Sequence, residues 1–199
     1  MLLHLAADPL VDAGHDEGLM DMAMLSARVA YAMMCLTLTW GALTSMGWVN
    51  RFTGRQALRS GHLMLASLTL ALAGVHILSL LKMRIEPFSP QDVLLPFNTG
   101  VKFRHTLGVL AFEGMLVAAL TVGLRRWMSY YRWLWLHRLA YLGFAFGVGH
   151  SLLAASERGD LEVLWLGGIT LLVPALTVTF VRFLPAKALA TTGLLEKVP

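Results

Sequence analysis

Apolar residues along the chain gather into five long stretches separated by short polar segments. A helix needs about 20 apolar residues to cross the hydrocarbon core of a bilayer, and each stretch has that length. The five predicted transmembrane helices cover residues 23–48, 61–81, 105–124, 133–155 and 161–181. The pattern therefore predicts an all-α integral membrane protein, built as a bundle of about five transmembrane helices.

The composition agrees with a membrane protein and argues against several other classes. Of the 199 residues, 57% are hydrophobic and 14% are charged, whereas soluble domains carry about 25% charged residues. The net charge of +4 does not indicate nucleic-acid binding, because the basic residues form short clusters between apolar stretches. The single cysteine, Cys35, excludes an internal disulfide and argues against a thiolate metal cluster.

The two ends of the chain are predicted to lie outside the bundle. Residues 1–22 contain five acidic residues and no Lys or Arg, whereas a cleavable signal peptide begins with basic residues. We therefore expect residues 1–22 to form an acidic N-terminal tail. Residues 23–182 are expected to form a single membrane domain, and residues 183–199 a short cytoplasmic tail.

The distribution of basic residues predicts how the bundle is oriented. Loops on the cytoplasmic side of a membrane carry an excess of Lys and Arg. Such residues mark the first loop, the third loop and the C-terminal tail: Arg51, Arg55, Arg59, Arg125, Arg126, Arg132, Arg182, Lys187 and Lys197. The predicted N-terminus is therefore outside and the C-terminus cytoplasmic. The longer second loop, which is rich in proline, is expected to cover the outer face.

Four histidines lie at membrane depth in two of the predicted helices. His62 and His76 are in the second helix, and His137 and His150 are in the fourth. Ionisable side chains are costly in hydrocarbon and mark functional sites there. The spacings of 14 and 13 residues correspond to about 20 Å of helix. One histidine of each helix is therefore expected near the cytoplasmic side and the other near the outer side.

Two histidines at one depth on facing helices are the arrangement that a bis-histidine haem requires. Each iron takes one imidazole from each helix, and filling both axial positions favours electron transfer over gas binding. A straight fourth helix would, however, aim its two imidazoles about 140° apart. Three glycines between them permit a local distortion or a close helix approach: Gly143, Gly147 and Gly149.

The segments that carry the histidines are GHLMLASLTLALAGVHILSLL and YRWLWLHRLAYLGFAFGVGHSLL. They resemble the ferric reductase-like transmembrane family, which includes ferric reductases, the membrane half of NADPH oxidases and the haem subunit of the methionine sulfoxide reductase system. The stretch EPFSPQDVLLPF is similar to the outer loop of bacterial members. The resemblance covers roughly residues 28–182, and the paired histidine spacing is its most specific element.

The resemblance implies that residues 23–182 are a ferric reductase-like di-haem transmembrane domain. It implies two haem b groups and electrons that pass from the cytoplasm outward. The implied ligands are His62 with His137 for the inner haem iron and His76 with His150 for the outer haem iron.

The electron donor and acceptor are not determined by the sequence. No glycine-rich dinucleotide motif is present. We therefore expect electrons to come from a separate reductase, from FMN or FAD held by a partner at the cytoplasmic face, or from quinol. The outer acceptor stays open between ferric iron, oxygen and a periplasmic or extracellular protein.

Arg59 and Arg138 are the predicted haem-binding cations. Both are close in sequence to a histidine of the cytoplasmic-side pair, where a guanidinium would meet a haem propionate. An equally good interpretation is that they only set the orientation of the bundle. Glu113, at mid-membrane depth in the third helix, receives no defined role from the sequence.

Two other functions stay open at the level of the sequence. Paired histidines also suit a quinol-linked cytochrome b membrane anchor, which would contain a quinone pocket. Alternatively, the histidines only pack helices together in a non-enzymatic assembly or metal-transport subunit, which would bind no haem.

Overall fold

Helices make up all the regular secondary structure of the residues that the computed structural model describes: 9–45, 53–85, 88–98, 100, 102–160, 162 and 164–184. The long helices are α1 (Pro9–Ser45), α2 (Arg55–Leu81), α4 (Phe103–Leu124) and α6 (Leu139–Arg158). The shorter elements are α3 (Pro90–Leu94), a 3₁₀ turn (Arg125–Trp127), α5 (Tyr130–His137), a π-helical segment (Leu164–Ile169) and α7 (Thr170–Phe183). The all-α prediction is confirmed for these residues.

Four helical segments are long and apolar enough to cross a membrane. They are Leu10–Ser45, Arg55–Leu81, Phe103–Trp127 and Tyr130–Arg158, and they correspond to the first four predicted spans. The fifth predicted span is represented by a shorter apolar helix, Gly167–Phe183. The helices thus indicate a membrane protein, whereas the number of spans and the orientation stay predictions.

The first helix begins earlier than predicted. Because α1 starts at Pro9, most of the predicted acidic tail forms its first turns. Contacts with the second loop hold this acidic segment in place. The Asp12 carboxylate lies 2.8 Å from the Arg84 guanidinium, and Asp16 accepts the backbone N–H groups of Arg84 and Ile85, each at 2.8 Å. Predicted helix residues 46–48 and tail residues 185–199 lie outside the described residues.

The fourth predicted helix is divided into α5 and α6 at Arg138. This interruption lies immediately after His137, and Arg138 itself keeps a helical backbone conformation. The glycines serve close packing instead. An added Cβ at Gly143 would lie 3.1 Å from the Ala111 carbonyl oxygen, which shows how closely α6 approaches α4. The predicted close approach is confirmed, and the distortion lies at Arg138.

The long helices pack as two pairs, α1 with α2 and α4 with α6, and α7 covers α1. Contacts between α2 and α4 are few, which leaves a cleft between the pairs. The buried core joins α1, α6 and α7 through Met34, Cys35, Phe144 and Ala175. The cleft thus separates α2, which carries His62 and His76, from α6, which carries His150.

Ion pairs bring three polar segments to one end of the bundle. Arg104 at the start of α4 lies 2.8 Å from Glu157 at the end of α6. Arg28 of α1 lies 3.2 Å from Asp160, and the start of α1 contacts Arg84 of the second loop. The acidic N-terminal segment, the second loop and the fourth loop thus share one end, which the basic-residue distribution predicts to be the outer one.

Candidate functional site

The structure brings the four membrane histidines together as two pairs. We call His62 and His137 the inner pair, and His76 and His150 the outer pair, following the predicted orientation. The ring centroids are 6.1 Å apart in the inner pair, with an interplanar angle of 76°. In the outer pair they are 6.3 Å apart, with an angle of 69°. The pairing by depth that the sequence predicted is therefore seen in the fold.

Each of the four imidazoles directs its Nδ1 atom at a backbone carbonyl oxygen. The contacts are His62 to Thr37 (3.2 Å), His76 to Ala23 (2.9 Å), His137 to Ala118 (3.4 Å) and His150 to Arg104 (2.7 Å). A carbonyl oxygen only accepts hydrogen bonds, so Nδ1 carries the proton. In a neutral imidazole the Nε2 lone pair is then free to bind a metal ion.

Glycines provide the room that two of the rings occupy. An added Cβ at Gly41 of α1 would lie 2.9 Å from Cε1 of His62. An added Cβ at Gly108 of α4 would lie 2.9 Å from Nδ1 of His150. Real Cβ atoms essentially never approach other heavy atoms this closely, so any larger residue would displace a ring from its pair.

A cavity adjoins the outer pair in the cleft between the helix pairs. About 870 Å³ of empty space lies within it, a figure that includes the open solvent at its mouth. The outer-pair histidines His76 and His150 line it, as do Tyr31 of α1, Phe112 of α4 and Gly147 of α6. Its walls are largely apolar, so that a large flat apolar group with a few polar atoms would fit its chemistry.

The second loop forms part of the wall of this cavity, and its placement on the outer face stays a prediction. Phe88, Asp92 and Val93 line the cavity, and the ring of Phe88 lies 5.1 Å from that of His105. His105 accepts a hydrogen bond from Nε of Arg104 at 3.0 Å. This part of the loop is held in place by the short helix α3, which carries a complete capping box.

Because the capping box of α3 contains the Asp92 carboxylate, we expect the stability of this short helix to depend on pH in the acidic range. Hydrogen bonds from the Ser89 side chain and backbone, and then from Asn98, lower the pKa of the Asp92 carboxyl below its ordinary value. A carboxyl whose pKa is lower in the folded state than in the unfolded state stabilises the fold. This stabilisation is fully present above the unfolded-state pKa of about 3.9, and it is lost as the pH falls through the folded-state pKa. We expect protection of the α3 amides from hydrogen exchange, corrected for intrinsic rates, to stay level above about pH 5 and to fall below about pH 4.

The matched variant for this prediction is Asp92→Asn, which retains a capping oxygen but does not titrate in this range. Its α3 amides should show weaker protection that does not change with pH. Wild-type protection that stays level down to about pH 3 would contradict the proposed role of the carboxylate.

The two predicted haem-binding arginines lie on the surface. Arg59 and Arg138 both have exposed side chains. Arg138 also occupies the break between α5 and α6. Nothing in their surroundings distinguishes a propionate-binding role from a role in membrane orientation. Glu113 is half-buried on α4, without a hydrogen bond or ion pair to another described residue.

Sequence reasoning missed an aromatic and basic cluster beside the inner pair. The Trp133 ring stacks on His137 with centroids 5.2 Å apart and an interplanar angle of 15°. The Arg125 guanidinium carbon lies 4.6 Å from the Trp133 ring centroid. Trp133 Nε1 is buried and has no hydrogen-bond partner among the described residues. The four-residue spacing from Trp133 to His137 was the available sequence signal, because residues i and i+4 meet on a helix face.

Within the described parts of the chain, no group of three or more His, Cys, Asp or Glu side chains is arranged to hold a metal ion. The histidines form pairs, so a metal bound by either pair would need further ligands from another molecule. Compared with known proteins, the chain matches no family model, no curated protein and no solved structure.

Proposed function

We propose that this protein carries electrons across a membrane through two b-type haems, one held by each histidine pair. The observation that carries the proposal is that all four imidazoles use Nδ1 on a backbone carbonyl and leave Nε2 free. Metal-binding histidines are oriented in this way, with the second ring nitrogen donating to a carbonyl or carboxylate.

The distances within the pairs support a shared iron. A metal lies about 2 Å from an imidazole nitrogen. Since the ring centroid is about 1 Å behind that nitrogen, two imidazoles on opposite sides of one iron have centroids about 6 Å apart. The observed values are 6.1 Å and 6.3 Å. A haem iron takes only two protein ligands, because the porphyrin supplies the remaining four.

The surroundings of the pairs also fit a porphyrin. The cavity at the outer pair is largely apolar, and both histidines of that pair line it. Beside the inner pair, the buried Nε1 donor of Trp133 lacks a partner within the described residues. Buried polar groups normally have hydrogen-bond partners, so this orphaned donor supports a polar group of a bound molecule at the inner pair.

In this proposal, haem supplies one-electron oxidation and reduction when it is bound. The paired imidazoles hold the iron, and the backbone carbonyls fix the tautomer and the orientation of each ring. The apolar helix faces keep water away from the site. Because the two histidines of α2 are 14 residues apart, the inner and outer positions are separated by about 20 Å along the helix.

We further propose that the chain is the membrane component of a ferric reductase-like system, with electrons entering at the inner pair and leaving at the outer pair. The donor would be a separate reductase, a flavin held by a partner, or quinol. The acceptor would be ferric iron, oxygen or a protein on the outer side. The cavity at the outer pair, with the second loop in its wall, is the feature that favours the outer face as the exit.

The deciding experiment is the haem-to-protein ratio of the purified chain, together with a reduced-minus-oxidised spectrum. We expect a ratio of about two and a low-spin b-type spectrum, because each iron has two axial imidazoles. A colourless protein, obtained with ample haem supply, would contradict the proposal and favour an assembly or metal-transport subunit. Reduction by a quinol analogue in isolated membranes would instead identify a quinol-linked cytochrome b anchor.

A further inference from the structure

The segment that contains the inner-pair residue His137 is strongly basic and lacks acidic residues. Residues 125–141 carry four arginines and no Asp or Glu. Arg125 stacks over the Trp133 ring, and it forms no ion pair within the described part of the chain. Arg182, from α7, approaches the same region by donating to the Tyr141 hydroxyl. An anion that neutralises this region must therefore come from elsewhere in the protein or from a bound molecule.

Trp133 is placed where such an anion would meet the inner pair. Its ring is stacked on that of His137, so the indole adjoins the inner pair. Its Nε1 atom is buried but lacks a partner among the described residues. An indole N–H can only donate, and a buried donor that lacks an acceptor is destabilising. The missing partner is therefore an acceptor, and the nearby guanidinium favours one with negative charge.

We propose that Trp133 and Arg125 together bind a propionate carboxylate of the inner haem, with the indole N–H donating a hydrogen bond and the guanidinium supplying the counter-charge. This inference rests on the proposed di-haem function. It assigns to Trp133, whose Nε1 atom is buried, and to Arg125 the role that the sequence suggested for Arg59 and Arg138. A lipid phosphate offers the same anionic oxygen chemistry, so the test has to separate the two sources.

The variants for the test are Trp133→Phe and Arg125→Gln in the full chain, reconstituted in nanodiscs. Phe keeps the aromatic stack but removes the N–H donor. Matched controls are Trp135→Phe on the same short helix, where the side chain is 66% exposed, and Arg126→Gln, whose guanidinium lies over Trp127 instead. The readouts are the propionate bending bands in resonance Raman spectra, the two haem midpoint potentials, and the rate of haem transfer to apomyoglobin.

We expect Trp133→Phe and Arg125→Gln to shift one propionate band, to lower the midpoint potential of one haem and to speed release of that haem several-fold. The potential falls because a less well compensated carboxylate stabilises the oxidised iron. The same shift should appear when Trp133→Phe is added to His150→Ala, which is expected to retain only the inner haem. Both controls should behave as the wild type does.

Three results separate the possible failures. A wild-type protein that binds no haem would overturn the proposed function and this inference with it. A wild type with two haems, and a Trp133→Phe variant identical to Trp135→Phe, would overturn only this inference. An effect of Trp133→Phe that appears in phospholipid nanodiscs and disappears in maltoside micelles, which contain no phosphate, would identify the anion as a lipid phosphate, and would likewise overturn it.

Discussion

Replacing any one of the four paired histidines with alanine is expected to halve the haem content of the purified protein. Each variant leaves one iron with a single axial imidazole, while the other pair is unchanged, so the haem-to-protein ratio should fall from about two to about one. The predicted pairing makes the double variants more informative than the single ones.

Double variants test whether two histidines act on the same haem. His62→Ala with His137→Ala should retain about one haem, no less than either single variant, because both residues belong to the inner pair. His62→Ala with His76→Ala should retain none, because one residue of each pair is lost. The measurement is haem per protein by the pyridine haemochrome method.

A histidine outside the pairs provides the matched control for this experiment. His15, near the start of α1, contacts Asp16 and belongs to neither pair, so His15→Ala should keep the full haem content. If the double variant within the inner pair lost both haems while each single variant lost only one, the assignment of the ligands to pairs would be wrong.

Gly108→Ala is expected to remove most of the outer haem and to spare the inner one. The added Cβ would lie 2.9 Å from Nδ1 and 3.0 Å from Cε1 of His150. The His150 ring cannot withdraw freely, because its Nδ1–H donates a hydrogen bond to the backbone carbonyl of Arg104 at 2.7 Å. Arg104 lies on α4, the helix that contains Gly108. Overpacking of this kind costs about 1–3 kcal/mol, and here the strain falls on a proposed ligand. The haem-to-protein ratio measures the loss of the outer haem, and the thermal unfolding midpoint measures the destabilisation of the protein.

The matched control is Gly123→Ala near the end of α4, where an added Cβ meets no atom within 4 Å. That variant should keep both haems and gain up to about 1 kcal/mol from the better helix propensity of alanine. Gly41→Ala should have the reciprocal effect on the inner haem, because its Cβ would lie 2.9 Å from His62. Two fully retained haems with unchanged potentials in Gly108→Ala would show that the site tolerates the displacement.

The first helix shows where sequence reasoning about the fold reached its limit. The acidic residues near Asp12 and Asp16 resemble a solvated tail when only their own composition is considered. In the fold they are the first turns of α1, because Arg84 and the backbone at Ile85 provide their partners. Those partners are about 70 residues further along the chain, so no local pattern predicts them.

The candidate site also combines features that the sequence predicted with features that depend on contacts between distant segments. Spacing along the chain predicted which histidines meet, because α2 and the successive helices α5 and α6 are long enough for depth to follow from residue number. Spacing did not predict the aim of the rings. The fold brings His150 beside His76 and His137 beside His62, and local sequence did not locate the interruption at Arg138 that lies between His137 and His150.

The sequence by itself therefore determined the membrane class, the helical architecture and the pairing of the histidines by depth, since apolar length and residue spacing are one-dimensional quantities. Only the tertiary structure decided which tautomer each imidazole takes, which glycines make room for the rings, and that Trp133 stacks on a histidine of the inner pair. These features depend on carbonyls and side chains that segments distant in sequence bring together, and folding alone sets those neighbours.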